Sequence, residues 1–496
     1  MRLHSKRTGE THRRHSSVSL NGCVTSTTSL PRTTPTLDPR QAAEYPTGAL
    51  AATFRRRAGA RAVGRDLLVV AAAAWLTMPV VIFLGSGGLA TVGTAAGVLT
   101  GIGQLTGLLA ASTMTLQVLL ASRIPVVDRL IGHDEALRLH AVLNTATMGF
   151  VVAHGVGVLV GEGWASGSNP VVAFLDHWAL PDFVLAVLAF VLLCLVGATS
   201  AIAVRRALPH EVWWGIHALT YAAIVVSIPH QLSMGLLTGG WPRVVWVAMW
   251  GVTAFAVLTW RWFLPLFANL EHRMRVVHVA PEGPDAVSIV LHGRNLDRLR
   301  AKGGQFFHWR FLAPGLWTHQ HPFSLSAAPR GDHLRITVRS LGRGTAALQR
   351  LEPGTRVWFQ GPYGIFTDVA RTKPGLIVAG AGAGICPLPG LLESTPIVPG
   401  MALVILRASN EQELHLAGEI ARLCEERGAR LVTLVGPRDG VHTWLPADHA
   451  DFRLDEAAPW LADADLYACG PTAWTDALAA ASSLPAQQIH TERYSW

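Results

Sequence analysis

The chain has 496 residues, 50% hydrophobic and 15% charged, with a mean hydropathy of +0.32 and a formal net charge of +8. That is too apolar for an ordinary water-soluble protein and too charged for a chain made only of membrane spans, so a membrane half joined to a soluble half is expected. The basic excess lies in the N-terminal stretch and the apolar half, where it speaks to membrane orientation before nucleic acid, and the five cysteines form no C-x-x-C, which excludes a zinc ribbon and a cysteine-ligated iron–sulfur cluster.

Residues 1–60 are rich in Ser, Thr and Arg and poor in large apolar residues, which reads as a disordered basic tail. It lacks the apolar run and cleavage site of a secretory signal. From 61 to 267, six apolar stretches follow, near 66–86, 97–121, 138–161, 182–204, 211–237 and 242–266. Arginines precede the first (Arg55, Arg56, Arg57, Arg61, Arg65) and follow the sixth (Arg261, Arg273, Arg275). Others lie between the second and third (Arg123, Arg129, Arg138) and between the fourth and fifth (Arg205, Arg206). The positive-inside rule then predicts a multi-pass plasma-membrane protein with both termini cytoplasmic. Trp213, Trp214, Trp241 and Trp246 are expected in an interfacial aromatic belt, with His177 and His210 at span edges.

The third and fifth stretches each carry two histidines: His140 and His154, then His217 and His230. A histidine inside a span is unfavourable without a partner or a task. Fourteen residues separate the first pair. On a helix they return to within about 40° of one face after a rise of about 21 Å. Thirteen separate the second pair, which an ideal helix would put on different faces. Pro229, just before His230, can rewind that turn. With both spans running outward, His140 faces His217 near the inner surface, and His154 faces His230 near the outer one. Opposed imidazoles supply the two axial ligands of a haem iron, so the set predicts two haem b groups. For any one histidine alone, helix packing or a proton path is the alternative.

Beyond residue 268 the pattern changes. RVVHVA, VSIVLHG, QFFHWRF, LRITVRS and RVWFQG are short strand-like runs between turn residues, predicting an antiparallel β-barrel over 268–370. GLIVAGA, MALVILRAS, ARLVTLVG and ADLYACG are buried strands, and EQELHLAGEIARLCEER is a helical pattern between two of them. This alternation predicts an α/β doubly wound domain over 371–496.

HPFSLSAAP (321–329), RITVRSLGRGT (335–345), GPYG (361–364), GAGAGICP (380–387) and YACGP (467–471) stand in this order behind the two bis-histidine spans. Together they resemble the ferric reductase and NADPH oxidase family over residues 61–496. The resemblance implies a six-helix ferric reductase-like transmembrane domain (61–267), an FAD-binding barrel (268–370) and an NAD(P)-binding domain (371–496). It runs His321, Pro322, Phe323 and Ser324 along the flavin ring, with Ser324 at the N5 edge. Arg339 suits the FAD pyrophosphate, beside backbone donors around Gly342, Gly344 and Thr345. Gly380, Gly382 and Gly384, followed by Pro387, let the nicotinamide cofactor's pyrophosphate approach the backbone. Cys386 stands where the family usually has Thr. Arg407, with Ser409, suits a 2′-phosphate and so NADPH, with NADH as the other donor. Cys469, Gly470 and Pro471 end the strand beside the reacting nicotinamide carbon. The sequence closes on Trp496, expected to stack on the flavin and gate hydride transfer. Ser324, Cys469 and Trp496 are thus the catalytic set.

The implied activity is that of a transmembrane oxidoreductase. NADPH reduces FAD on the inner side, and single electrons cross through the two haems to a small external acceptor, ferric iron or its chelate or dioxygen. The expected partners are the lipid bilayer, NADPH and that acceptor, with no nucleic acid and no required partner protein. The alternative is a membrane b-type cytochrome module supplying electrons to a partner protein, against which the fused flavin and nicotinamide segments speak.

Overall fold

The structure, a computed structural model, describes residues 47–438, 440 and 443–494. Most of the stretch read as a tail, residues 1–46, lies outside them. Among the described residues, six helices are long and apolar enough to cross a membrane. They are α1 (Thr47–Gly85), α2 (Ala95–Ala121), α3 (His133–Ala165), α4 (Pro181–Ser200), α5 (His210–Ser233) and α6 (Gly240–His272). The last is interrupted by a π-helical segment, Val257–Phe263.

Helix α1 corrects the expected tail boundary, because residues 47–60 are helical. At 39 residues it is about 58 Å long, roughly twice the hydrocarbon thickness. Its first turns therefore project beyond the bundle. Phe54 is buried there under the guanidinium of Arg371, 4.6 Å from the ring centre. Arg57 reaches Asp368 at 3.3 Å, and Arg61 donates to the Ala370 carbonyl.

Helices α2 and α3 pack through small residues. A side chain on Gly103 would fall 2.6 Å from the backbone nitrogen of Val158, and one on Gly157 would meet Gly103. Such close approach is how helices associate where the surroundings are as apolar as the side chains. Thr113, Thr147 and Gln117 hydrogen-bond one another across the same seam.

Six strands follow: β1 (Arg275–Pro281), β2 (Ala286–His292), β3 (Phe306–Phe311), β4 (His321–Ser324), β5 (His333–Arg339) and β6 (Val357–Tyr363). They form two antiparallel three-stranded sheets, ordered β1-β2-β5 and β4-β3-β6. Alternation along β3 buries Phe307, Trp309 and Phe311 against Ile289, Leu291 and Ile336 of the other sheet. The expected barrel is not a continuous ladder. Its two seams are single bridges, Arg275 with Arg356 and Leu325 with Ile336. Asn269, near the end of α6, exchanges two 2.8 Å hydrogen bonds with the backbone of Phe359, fastening β6 to the last span.

The remaining strands are β7 (Gly375–Ala381), β8 (Ala402–Ala408), β9 (Arg430–Val435), β10 (Ala464–Pro471) and β11 (Ile489–Tyr494). All pair parallel, in the order β11-β10-β7-β8-β9. Helices α7 (Leu388–Ser394) and α8 (Ala417–Arg427) cover one face, and α9 (Thr472–Ser482) packs on the other. The strand order reverses between β7 and β10, the point at which open α/β sheets leave a crevice at their carboxyl ends. The helix expected over 411–427 begins only at Ala417. Leu416 has φ 58°, and buried His415 turns back to Asp285 at 3.3 Å, which breaks the helical pattern upstream.

Candidate functional site

The four span histidines meet in the expected pairs. The ring centres of His140 and His217 lie 6.2 Å apart, and those of His154 and His230 lie 5.9 Å apart. These separations suit two imidazoles sharing one metal atom at roughly 2 Å per metal–nitrogen bond. The thirteen-residue spacing on α5 does not prevent this, and Pro229 lies inside that helix one residue before His230. Each Nδ1 has a partner away from the gap. His140 donates to the Gln117 carbonyl (3.1 Å) and His154 to the Gly103 carbonyl (2.9 Å). His217 contacts the Ser200 hydroxyl (3.4 Å), and His230 the Met234 sulfur (3.2 Å). Occupying Nδ1 fixes the tautomer that leaves Nε2 as the ligand, and this donor set fits a bis-histidine haem.

A cavity of about 490 Å³ opens beside the sheet-distal pair, within the range of cofactor pockets. His154, His230, Gln104, Gln231, Glu162 and His177 contribute to its lining. His177, expected only as an interfacial residue, faces Glu162 at 3.1 Å on this wall. Trp246 is not in an aromatic belt: it is 2% exposed and shares the Gln231 side-chain oxygen with Trp250. Trp214 and Trp241 are exposed on the bundle surface. Trp213 stacks on His217 at 5.1 Å, and the Arg205 guanidinium lies over the Trp213 ring at 4.7 Å.

The second site is the crevice between β4, the end of β5 and the loop after β7. Pro322, Phe323, Ser324, Arg339, Cys386 and Pro387 line it together. Ser324 is buried, and its hydroxyl donates to Glu492 of β11 at 3.3 Å. The Cys469 sulfur lies 3.9 Å from the same carboxylate. Burial, then the charge of Asp134, pushes the Glu492 carboxyl up to about 8, against the pull of its bonds to Ser324 and Cys469. Burial, then His319, brings His321 down to about 4, so it is neutral at pH 7 and stacks on Phe323. Cys386 is pushed up to about 12 by burial and is an inert thiol.

The phosphate-binding residues are arranged less simply than their motifs suggest. Arg339 is paired with Asp285 (2.7 Å) and Glu413 (2.8 Å), which hold its pKa above the usual value although burial alone would lower it. Its Nε and Nη2 make those two bonds, and its Nη1 lies beside Gly382, where it is the nitrogen left for a phosphate. The Thr345 hydroxyl already accepts the amides of Leu341 and Gly342; Gly342 borders open space, and a side chain on Gly344 would touch the His321 ring at 3.6 Å. Gly382 has φ 56° and turns the chain after β7. A side chain on Gly384 would fall 2.0 Å from the Cys469 carbonyl, so this glycine lets the loop cross β10. Gly380 packs against the Gly384 carbonyl, and Gly470 has φ 152° just before Pro471. Arg407 is buried at the end of β8, and its pKa is lowered by burial and then by Arg438. Arg438 is thus a second cation at this sheet end. Trp496 lies outside the described residues.

The two sites share one helix. Asp134, whose charge reaches Glu492, is in the first turn of α3, six residues before His140. His133 stacks on Tyr363 of β6 at 5.4 Å. Arg123 donates to Gln360 and to the Tyr363 hydroxyl. His308 of β3 is held well below its ordinary pKa by burial, then by Arg123, His133 and Arg261. Sequence reasoning missed Glu492 and this junction; the one available signal was a carboxylate in the middle of a strand-like run, IHTERY.

Residues 106–228 match the family described as ferric reductase like transmembrane component. Respiratory burst oxidase homolog protein D of Arabidopsis thaliana is 25% identical over 190 residues, covering 37% of this chain and 18% of that protein. A flavohemoprotein of Xylella fastidiosa is 25% identical over 233 residues (43% and 56%), and NADPH oxidase 1 of Mus musculus is 25% identical over 148 (27% and 25%). The chain thus spans 18% to 56% of the length of these relatives. Among solved structures, the flavohemoglobin of Malassezia yamatoensis with bound FAD and haem overlaps 81% of this chain and 99% of its own, at TM-score 0.39 and 16% identity. The FAD/NAD binding domain of the nitric oxide dioxygenase of Vibrio cholerae overlaps 45% and 99%, at TM-score 0.35 and 21% identity.

Proposed function

Because the chain belongs to the ferric reductase and NADPH oxidase family, we propose that it is a transmembrane NAD(P)H-dependent oxidoreductase. In this reading it moves electrons from cytoplasmic NADPH, through FAD and two b-type haems, to an acceptor outside the plasma membrane. When bound, the flavin takes a hydride and releases single electrons, and the haems carry them one at a time.

The chain's own residues bind, orient and insulate. His140 with His217, and His154 with His230, hold the two metal centres. The carbonyls of Gln117 and Gly103 fix the ring orientation of the α3 ligands. Ser324, Glu492 and Cys469 form a buried polar group at the flavin's reacting edge. The Glu492 carboxyl holds a proton there through neutral pH. Arg407 and Arg438 meet the 2′-phosphate and favour NADPH. Phe54 and Arg57 of α1 hold the segment before β7 against the bundle, with both termini cytoplasmic. Ferric iron or its chelate is the favoured acceptor, and dioxygen is the other.

The observation that supports this reading most is the pairing of four span histidines, two on α3 and two on α5, with α3 beginning beside the Ser324–Glu492 crevice. The test is purified protein in lipid, given NADPH, with superoxide release and ferric-chelate reduction measured side by side and haem counted by pyridine haemochromogen. Two haems and NADPH-dependent reduction of one acceptor are expected. Protein that binds flavin but no haem would refute the reading.

A further inference from the structure

The π-helical segment Val257–Phe263 interrupts α6 at the end of the bundle nearest the sheets. Single π turns inside helices redirect a side chain off the regular stripe and cluster at functional sites. The charged residue carried here is Arg261, half-buried within a span. Among the described residues no carboxylate pairs with it. The groups within electrostatic reach are another cation, Arg123, and the phenols of Tyr221 and Tyr363. Tyr221 is one turn beyond His217 on α5, so Arg261 is on the side of the bundle that carries the His140–His217 pair.

Arg123 is itself 8% exposed, and its Nε has no partner. Its other nitrogens reach into the flavin half, to Gln360 and Tyr363. Asp128, close by, faces His133 at 3.4 Å and pairs with neither arginine. Two cations buried near each other are strongly unfavourable unless an anion joins them.

We propose that Arg261 and Arg123 form a carboxylate-binding site for the propionates of the haem held by His140 and His217, and that filling it fastens the flavin sheets onto the membrane bundle. The proposal rests on the two-haem reading above. Arginine suits the task because its planar fork matches a carboxylate with two donors and keeps its charge when buried. Arg123 bonds β6 at the same time, so an anion that offsets its repulsion with Arg261 keeps it seated against Gln360 and Tyr363. The coupling is reciprocal: a docked flavin domain retains the haem better, and a retained haem docks the domain better.

The test uses full-length apo-protein in phosphatidylcholine vesicles, reconstituted with iron protoporphyrin IX or with its dimethyl ester, whose propionates carry no charge. Wild type is compared with Arg261→Gln, Arg123→Gln and the charge-retaining Arg261→Lys. With the free acid, each Gln variant should hold the sheet-proximal haem roughly tenfold more weakly. Its midpoint potential should fall, and amide exchange in Val357–Tyr363 should rise. Arg261→Lys should recover part of each change. An unchanged spectrum of the haem on His154 and His230 reports that a variant is folded. With the dimethyl ester, wild type should lose retention and amide protection as the Gln variants do, and the substitutions should weaken neither further. Two haems with retention and potentials equal in all variants would overturn the proposal and leave the two-haem reading standing. An effect seen only after anionic lipid is added would assign the arginines to a lipid phosphate instead. Protein that takes up no haem in either form would remove both.

Discussion

Glu492 gives a quantity that can be checked without knowing the acceptor. Its carboxyl is buried between Ser324 and Cys469, and its pKa in the folded protein is about 8, against a usual 4.5. The folded form therefore keeps a proton that the unfolded chain releases. The resulting stabilisation is fully present below about pH 4.5 and is lost as pH rises through about 8. The difference corresponds to an upper limit of about 5 kcal/mol. Even 1 kcal/mol of it moves the melting midpoint of a unit of this size by about 2–4 °C. Glu492→Gln removes the titration while keeping the shape. Melts followed by tryptophan fluorescence from pH 5 to 9 should show the wild-type midpoint falling relative to the variant, with the gap widening from the acid end of the range and levelling off above about pH 8. Asp134→Asn takes away the charge that raises the carboxyl, so in that variant the loss should still begin near pH 4.5 and be complete at a lower pH than in wild type. Midpoints of wild type and Glu492→Gln that run parallel across the whole range would refute the reasoning.

His154→Ala should leave one haem per chain by pyridine haemochromogen, and a variant that still holds two refutes the pairing with His230. Arg407→Ala should raise KM for NADPH by roughly tenfold and leave that for NADH unchanged, as loss of one charge-assisted contact requires; equal changes for both cofactors would take Arg407 off the 2′-phosphate. Phe54→Ala truncates a ring that is 1% exposed and should cost roughly 3–5 kcal/mol locally. Limited proteolysis around 366–372 should then accelerate, and an unchanged cleavage rate would mean that α1 is not a fastening. Ser166→Cys should label from outside intact cells and Ser409→Cys only after permeabilisation; the reverse pattern inverts the orientation.

The six spans and the two histidine pairs were legible because both signals are local and periodic. A long apolar run has one meaning in a chain of this composition, and a histidine in it stands out whatever surrounds it. The parallel sheet was legible for a similar reason, since β7, β8 and β10 are apolar almost throughout. What escaped depends on contacts distant in sequence. Ser324 meets Glu492 across 168 residues, and Arg123 meets Gln360 across 237. Arg339 sits in a strand as its motif leads one to expect, but the sequence gives no hint of its two carboxylate partners. Trp246 reads as a belt residue from its position near a span end, and only the packing of α5 against α6 brings it to Gln231. Helix α1 escaped for another reason: its first turns are arginine-rich and resemble a tail until Phe54 and Arg57 have Arg371 and Asp368 to pack against.

One helix ties these contacts to function. Helix α3 begins with His133 against Tyr363 and Asp134 within reach of Glu492. It carries His140 about 9 Å further along and His154 about 21 Å beyond that. Its small-residue seam with α2 leaves little freedom to slide, because Gly103, Gly157 and Gly161 are each in backbone contact. The carbonyls that orient its two histidines come from that same neighbour, at Gly103 and Gln117. The flavin crevice and both histidine pairs are therefore set by a single rigid register. The flavin half, in turn, can approach this register only as closely as α1, Arg123 and Asn269 hold it. Three carriers at fixed separations, as proposed, need their spacing in packed helices and their adjustable contacts at one junction, where Arg123, Asp128 and Glu492 are buried.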